Sequence, residues 1–273
     1  MSEQWDFLLL GAFEARFDGH PVPVRAAKHR ILLTSLLMEP NRTVTVDTLA
    51  TRLWGDEDDD RPLDVHRTVQ TYVFRLRRAF GEYNHDYGGG GSGELVVTRP
   101  GGYAVEVPES AVDAHRFNRM VADAAELGDP AATAAAMREA LALWRGEALM
   151  DVPSPSLHRQ IVPVLVEGRL TAIERQVEAD LRLGRQDALV GQLRSLTARY
   201  PLRERFWAQL MYALDGTGRQ AEALAAYMRI RGRLTDELGV EPGPDLREAH
   251  RRVLQADRLT FDAATDSAPS DFC

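Results

Sequence analysis

Cysteine is almost absent from this sequence of 273 residues, because the one cysteine is Cys273 at the last position. A single thiol excludes an internal disulfide and any cysteine-rich zinc site. Long apolar runs are missing as well, and none approaches the roughly 18 residues of a membrane-spanning helix. The first residues lack the basic region and cleavage site of a signal peptide. We therefore expect a cytoplasmic protein with no membrane partner.

Positive charge is in the minority, with 33 Lys and Arg residues against 41 Asp and Glu residues and a net charge of -8. This balance argues against a protein that binds nucleic acid over its whole surface. The charges are unevenly distributed, however, since residues 66–80 contain four arginines and no acid. Phosphate binding depends on the local field, so this segment is a candidate for DNA binding.

Motifs of catalysis and of metal or nucleotide binding are also missing. The run Gly88–Gly93 lacks the Gly-Lys-Ser/Thr ending of a phosphate-binding loop. The acidic run Asp56–Asp60 lacks the spaced ligands and central glycine of a calcium loop. The seven histidines are scattered, and none pairs at helical spacing with a carboxylate as a zinc enzyme needs. We expect neither an enzyme nor a metal or other cofactor site.

Apolar spacing changes along the first third of the chain from strand-like to helical. Short apolar or alternating runs separated by turn residues predict a small antiparallel sheet from residues 7–10, 13–17 and 22–24. Helical spacing then predicts two helices, at residues 26–38 and 47–54. After the glycine-rich run, two short strands at residues 95–98 and 103–107 flank the turn Arg99–Gly102. Such a hairpin after short helices is typical of a winged helix-turn-helix.

The arginine-bearing segment predicts a third helix with two different faces. Its apolar stripe consists of Val69, Val73, Leu76 and Phe80. The opposite face carries Arg67, Thr71, Phe74 and Arg78, with Gln70 and Arg75 on its flanks. A helix of this kind is commonly a solvated surface helix. The absence of acids and the hairpin that follows favour a helix that enters the major groove.

Each polar side chain in this region suits one kind of DNA contact. Arg75 matches guanine O6 and N7, Gln70 matches adenine N6 and N7, and Thr71 offers a hydroxyl and a methyl group. We expect phosphate contacts from Arg67, Arg77 and Arg78. At the hairpin tip, Thr98 and Arg99 are placed to enter the minor groove, where narrow A·T tracts attract arginine.

Strand signals disappear after Val112, and helices rich in Ala, Leu and Arg follow. We predict helices at residues 114–127, 131–144, 157–183, 186–199, 203–215, 219–237 and 243–257. The tripeptide Gly184-Arg185-Gln186 recurs 34 residues later, which is the period of tetratricopeptide helical hairpins. The predicted fold class is an α+β winged helix-turn-helix domain followed by an all-α tetratricopeptide-like domain. The predicted domains are residues 1–110 and 111–258, with a disordered tail at 259–273.

Several segments together resemble a known family. Residues 47–55, 67–80 and 98–103 resemble the OmpR-type winged helix. Five later motifs are similar to the bacterial transcriptional activation domain, namely Ala140–Gly146, Ala179–Gly184, Tyr200–Glu204, Gly218–Leu224 and Glu237–Pro242. In this order, over roughly residues 5–257, they resemble the Streptomyces antibiotic regulatory proteins (SARPs).

The resemblance implies an activator of a secondary-metabolite gene cluster. It implies two side-by-side protomers on direct heptameric repeats of double-stranded DNA near the -35 element, and recruitment of RNA polymerase through the sigma factor and core subunits. The family's readers fall on Gln70, Thr71 and Arg75, with Arg67, Arg77 and Arg78 at backbone positions. The polymerase-contacting loop falls on residues 55–65, which include Asp56, Glu57, Asp58, Asp59 and Asp60.

Two features depart from the family pattern, and two other functions stay open. The glycine-rich insert precedes the wing, and Phe74 stands where a polar or basic residue is common. Both can change the preferred DNA site. One alternative function is a helical-repeat adaptor whose winged helix contacts only protein. The other is a repressor that uses the same DNA-binding face.

Overall fold

The chain folds into two compact units, and the first unit includes part of the helical region that follows residue 112. The computed structural model describes residues 5–55, 61–86 and 95–265, so the acidic run and the glycine-rich run lie outside it. The first unit comprises Met1–Glu126 and Ala136–Ala172. The second comprises Leu127–Ala135 and Ile173–Cys273. These units do not divide at residue 110, where the sequence places its domain boundary.

An antiparallel sheet opens the first unit, built from β1 (Trp5–Leu8), β2 (Glu14–Phe17) and β3 (His20–Val22) in that order. The tight turn Asp18-Gly19 joins β2 to β3, and Phe17 pairs with His20. Inward side chains alternate along these strands, so that Ala15 and Phe17 are buried in the core. This arrangement confirms the predicted sheet.

The helix-turn-helix and its wing follow. The elements are α1 (Ala27–Leu37), β4 (Val44–Thr45), α2 (Val46–Trp54), α3 (Val65–Asp86), β5 (Val96–Arg99) and β6 (Gly102–Val105). The β5–β6 hairpin, called the wing below, pairs with β4 in the order β4-β6-β5. Only glycine fits at Gly102, because a Cβ there would lie 2.0 Å from the Val44 carbonyl oxygen. The predicted winged helix-turn-helix is confirmed.

The segment between β1 and β2, called the Leu9–Phe13 clasp below, is bonded to residues far along the chain. The carboxylate of Asp113 accepts hydrogen bonds from the backbone amides of Leu9 at 2.7 Å and Leu10 at 3.0 Å. The amide of Leu149 donates to the Leu9 carbonyl at 3.0 Å. The amide of Phe13 donates to the Asp151 carboxylate at 2.6 Å. These bonds join the N-terminal sheet to Asp113 and to residues 149–151, all within the first compact unit.

One apolar core runs through this first unit. Phe7, Leu36, Phe117 and Leu149 each have 0% exposure and belong to the same buried cluster. Phe117 lies on α4, whose bounds are Asp113–Ala125, beyond the predicted boundary. The winged helix therefore shares its core with residues that the sequence assigns to the next domain.

Helices make up the rest of the chain. They are α5 (Pro130–Leu141), α6 (Pro155–Gln160), α7 (Val162–Arg182), α8 (Gln186–Arg199), α9 (Glu204–Gly216), α10 (Gln220–Arg233) and α11 (Pro244–Thr265), with a π-helical turn at Leu234–Leu238. The single helix predicted at residues 157–183 is wrong, because the structure has two helices that meet at Ile161. Pro163 has no amide hydrogen to continue α6, and it suits the first turn of a new helix.

The end of α11 also differs from the prediction. This helix continues to Thr265, past residue 259, where the sequence analysis begins a disordered tail. Residues 256–265 contain neither glycine nor proline, so nothing in them stops a helix. Residues 266–273 lie outside the described part of the chain.

The 34-residue repeat corresponds to two equivalent helix junctions in the second unit. Gly184 and Gly218 have φ angles of 76° and 73°, a left-handed conformation that favours glycine. In both cases the next helix begins at the glutamine, at Gln186 for α8 and at Gln220 for α10. Helix α9 packs against α8, α10 and α11. The predicted all-helical domain is thereby confirmed, and the two equivalent junctions fit helical pairs that repeat every 34 residues.

Two kinds of feature are absent from residues 5–55, 61–86 and 95–265. None of the helices there combines the length and the apolar character needed to cross a lipid bilayer. Within the same ranges, no group of three His, Cys, Asp or Glu side chains could hold a metal ion.

Candidate DNA-binding surface

The start of α3 is fixed by Asp64, the residue immediately before the helix. The backbone amide of Arg67 donates to the Asp64 carboxylate at 2.9 Å, and the Thr68 hydroxyl donates to the Asp64 carbonyl at 2.8 Å. Such bonds satisfy donors that have no partner within the first helical turn. Arg67 therefore lies in a defined first turn.

The inner face of α3 is buried as its spacing predicts. Val69, Val73, Leu76 and Phe80 are between 0% and 3% exposed. Beside them, the ring of Tyr72 stacks on Trp54 of α2 at 6.2 Å between ring centroids and meets His29 of α1 edge-on at 5.4 Å. Contacts to two helices fix the rotation of α3, which determines the side chains that face outward.

The outer face of α3 carries most of the predicted DNA contacts. Its exposed side chains are Arg67, Gln70, Thr71, Phe74, Arg75 and Arg78. The Thr71 hydroxyl donates to the Arg67 carbonyl at 2.8 Å, which leaves its oxygen available as an acceptor. Phe74 is 65% exposed, an unusual position for a large apolar side chain. The three predicted base readers thus share one face with an aromatic ring.

This face carries the positive charges of Arg67, Arg75 and Arg78. Within the part of the chain that the structure describes, neither Arg67 nor Arg75 forms an ion pair. Burial lowers the pKa of His29, and the cationic charge of nearby Arg75 lowers it further. Arginines left without acidic partners present their donors to an approaching anion. The effect of Arg75 on His29 links α1 electrostatically to the outer face of α3, a link that spacing alone does not reveal.

Arg77 has a different environment from the other arginines of α3. Its side chain is half-buried, with Nε donating to the Val96 carbonyl at 2.7 Å and a terminal nitrogen donating to the Thr98 hydroxyl at 2.9 Å. These bonds tie α3 to the first strand of the wing. The structure therefore places Arg77 and Thr98 together, although the sequence analysis assigned them to different DNA contacts.

The wing tip lies beside the start of α2. Arg99 donates to the Glu106 carboxylate at 2.8 Å, so it has an acidic partner in the residue that follows the wing. The amide of Val46 donates to the Gly101 carbonyl at 3.3 Å, which brings the exposed hydroxyls of Thr45 and Thr48 next to the turn. Neither threonine is among the DNA contacts predicted from the sequence. Their spacing of three residues at a helix start was the available signal.

The predicted polymerase-contacting residues are not part of the described structure. Asp56, Glu57, Asp58, Asp59 and Asp60 are outside the described residues. The described chain resumes at Arg61 and leads directly into α3. The acidic run therefore stays a prediction from the sequence.

Comparison with known proteins gives one family match for the winged helix-turn-helix and another for the helical region. Residues 22–104 match the family model "Transcriptional regulatory protein, C terminal", and residues 112–254 match "Bacterial transcriptional activator domain". The chain is 36% identical over 252 residues to the regulatory protein DnrI of Streptomyces peucetius, which covers 91% of this chain and 92% of DnrI. It is 41% identical over 256 residues to the regulatory protein AfsR of Streptomyces coelicolor, covering 92% of this chain but 24% of AfsR.

A solved structure has the same architecture. Mycobacterium tuberculosis EmbR, in complex with a low-affinity phosphopeptide, aligns with a TM-score of 0.83 and 33% identity over 93% of this chain and 66% of that chain. The winged helix, the activator-domain match and these relatives agree with one another, and the relatives are regulators rather than enzymes. The chain therefore belongs to the Streptomyces antibiotic regulatory protein family of transcriptional activators.

Proposed function

We propose that this activator binds direct repeats of double-stranded DNA near the -35 element as two side-by-side protomers. It then recruits RNA polymerase, including the sigma factor, and switches on a secondary-metabolite gene cluster. The exposed face of α3 from Arg67 to Arg78, which carries no acidic side chain, is the observation that carries this proposal. Its length of 22 residues is ample to span a major groove.

The base readers in this proposal are Gln70, Thr71 and Arg75. All three are exposed on a helix whose rotation is fixed by Tyr72. Arg75 forms two hydrogen bonds with one guanine, and Gln70 forms two with one adenine. Phe74, between these readers, covers a thymine methyl group or a sugar. A good bidentate pair contributes about 1–3 kcal/mol of discrimination against a wrong base.

The remaining arginines have three different tasks in the proposed complex. Arg67 and Arg78 bind phosphates and set the register of the helix in the groove. Arg77 binds a phosphate only if it exchanges its bonds to the wing, so its larger contribution is to hold the wing in place. Arg99 enters the minor groove together with Thr98 after exchanging Glu106 for the DNA.

Polymerase recruitment in this proposal depends on the acidic run that precedes α3. Asp56, Glu57, Asp58, Asp59 and Asp60 supply five negative charges in consecutive positions. A segment of this charge is attracted to basic surfaces of a partner and steers its approach. The family's role in activation supports a polymerase partner for this segment.

A DNase footprint on promoters of the neighbouring gene cluster tests this function. The experiment uses the full chain at physiological salt, with and without RNA polymerase, followed by transcription from the same templates. Protection of paired direct repeats that polymerase strengthens, with increased transcription, is the expected result. Protection with reduced transcription would identify a repressor. The absence of protection on every promoter would favour the protein-binding adaptor.

A further inference from the structure

A groove of about 440 Å³ lies on the second compact unit, between α8 and α10 and above α9. Its floor is formed by Trp207, Leu210 and Leu214, which share one face of α9. The indole nitrogen of Trp207 donates to the Pro201 carbonyl at 2.9 Å, so the ring is held in place. The volume of this groove is within the range of ligand-binding pockets, which are commonly lined by apolar side chains.

The rim of the groove is positively charged. Arg194 of α8 and Arg229 and Arg233 of α10 line it, and Glu222 is the acidic residue among the lining side chains. Glu222 is already occupied, because it pairs with Arg194 and accepts a hydrogen bond from Arg219 at 2.8 Å. Hydrogen bonding to Arg219 lowers the pKa of Glu222, which keeps this carboxylate ionised.

Arg229 and Arg233 are a like-charged pair one helical turn apart. Both are exposed, and within the described residues neither has an ion-pair partner. Like charges at this spacing destabilise a helix slightly. Elsewhere in the second unit most arginines have acidic partners, as Arg203 has in Glu174 and Arg231 has in Glu241. An unneutralised pair at the rim of an apolar groove points to an anionic ligand.

We propose that this groove binds an acidic segment of a partner protein. Two carboxylates of the segment pair with Arg229 and Arg233, and one apolar side chain covers the floor at Trp207 and Leu210. Arginine binds carboxylates in a planar, two-bond geometry, and the net positive rim attracts acidic segments in particular. Duplex DNA matches the rim charge, but it offers no apolar side chain for the floor. The inference does not depend on the DNA contacts of α3.

Peptide binding to the full chain tests this proposal directly. The probes are fluorescein-labelled short peptides in which Asp and Glu surround one Leu or Phe, together with the same peptides carrying Asn and Gln instead. Anisotropy titrations measure affinity, and tryptophan emission reports occupancy of the floor. We expect the acidic peptides to bind about tenfold or more tightly than their amide counterparts, because charge-assisted hydrogen bonds are lost in the latter.

Matched variants identify the groove as the site. Arg229→Gln combined with Arg233→Gln is expected to weaken acidic-peptide binding by about tenfold. Arg247→Gln combined with Arg251→Gln changes the same charge at the same spacing on α11 and leaves binding unchanged. Trp207→Phe removes the emission change but retains binding. DNA affinity stays the same in every variant, which separates this result from the proposed function.

Three outcomes would overturn the proposal. One is equal affinity for acidic and amide peptides, and a second is equal loss in the groove and control variants. The third is displacement of the bound peptide by duplex DNA together with weaker DNA binding by the groove variant. That last result would assign the rim arginines to DNA.

Discussion

The outer face of α3 and the Leu9–Phe13 clasp belong to one compact unit, yet they use charged side chains in opposite ways. The clasp is held by Asp113, which is 0% exposed and whose two carboxylate oxygens each accept a hydrogen bond from a backbone amide of the clasp. On α3, Arg67 and Arg75 are exposed and have no ion-pair partner among the described residues. The clasp charge is satisfied within the protein, whereas the α3 charges are available to an external anion.

This difference separates a structural role from a recognition role. Removing a buried carboxylate leaves the buried amides that it accepted without partners, so substitutions at the clasp should reduce stability. An exposed arginine contributes little to stability when it has no partner, so changes on α3 should reduce DNA binding. The substitutions below test this division, beginning with the largest expected effect.

Removing the clasp carboxylate should have the largest effect. Asp113→Ala leaves the buried amides of Leu9 and Leu10 unpaired, so we expect the free energy of unfolding to fall by about 2–5 kcal/mol. Chemical denaturation of the full chain measures this loss. Asp123→Ala, on the exposed side of the same helix, serves as control and should change stability by less than about 0.5 kcal/mol. Equal stability of the two variants would contradict the structural role of the clasp.

Removing the proposed guanine reader should affect DNA binding but not folding. Arg75→Ala is expected to weaken the specific site by about 1–3 kcal/mol and to relax preference at one base pair. Arg78→Ala, the matched change on the same face, should weaken all DNA sequences alike and reduce the salt slope by about one. Affinity measurements over several sequences and salt concentrations distinguish the two. Intact sequence preference in Arg75→Ala would show that another residue reads this position.

A substitution at Arg77 should affect both stability and DNA binding, since this residue is half-buried and bonded to the wing. Arg77→Lys retains the charge but not the fork that reaches both Val96 and Thr98. We expect it to lower the free energy of unfolding by about 1 kcal/mol and to remove protection at the wing end of the footprint. Arg77→Ala should behave similarly. If the lysine variant instead kept full wing protection, the charge of Arg77 on a phosphate would be its main contribution.

The smallest expected effect is a pH dependence at His29. Burial and the cationic charge of Arg75 hold its pKa below 6.5 in the folded chain. The unfolded chain therefore binds more protons between that lowered pKa and 6.5, and stability falls as the pH falls through this window. The negative charge of DNA bound along α3 offsets the field of Arg75 and raises the pKa of His29, so DNA affinity should rise as the pH falls through the same window. In His29→Gln, affinity measured across this pH range should lose that component, and an unchanged pH profile would place DNA away from His29.

Much of this site is predictable because its signals are local. The apolar stripe from Val69 to Phe80 follows from helical geometry, and the exposed face opposite it follows with the same certainty. The two left-handed glycines, Gly184 and Gly218, are recognisable because each precedes the same dipeptide. The contacts of His29 and Arg77 could not be predicted, because their partners lie on other elements that only the folded chain brings close.

Spacing and motifs along the chain were enough to predict most of the elements, the two faces of α3 and the resemblance to the SARP family, but not the division between α6 and α7. Residue periodicity and motif order are properties of the chain before it folds. Folding was needed to show that Asp113 closes the Leu9–Phe13 clasp, that Arg77 holds the wing, and that α8 and α10 leave a basic groove above α9. These features depend on pairs of residues distant along the chain, since packing and hydrogen bonding, rather than spacing, bring such residues together.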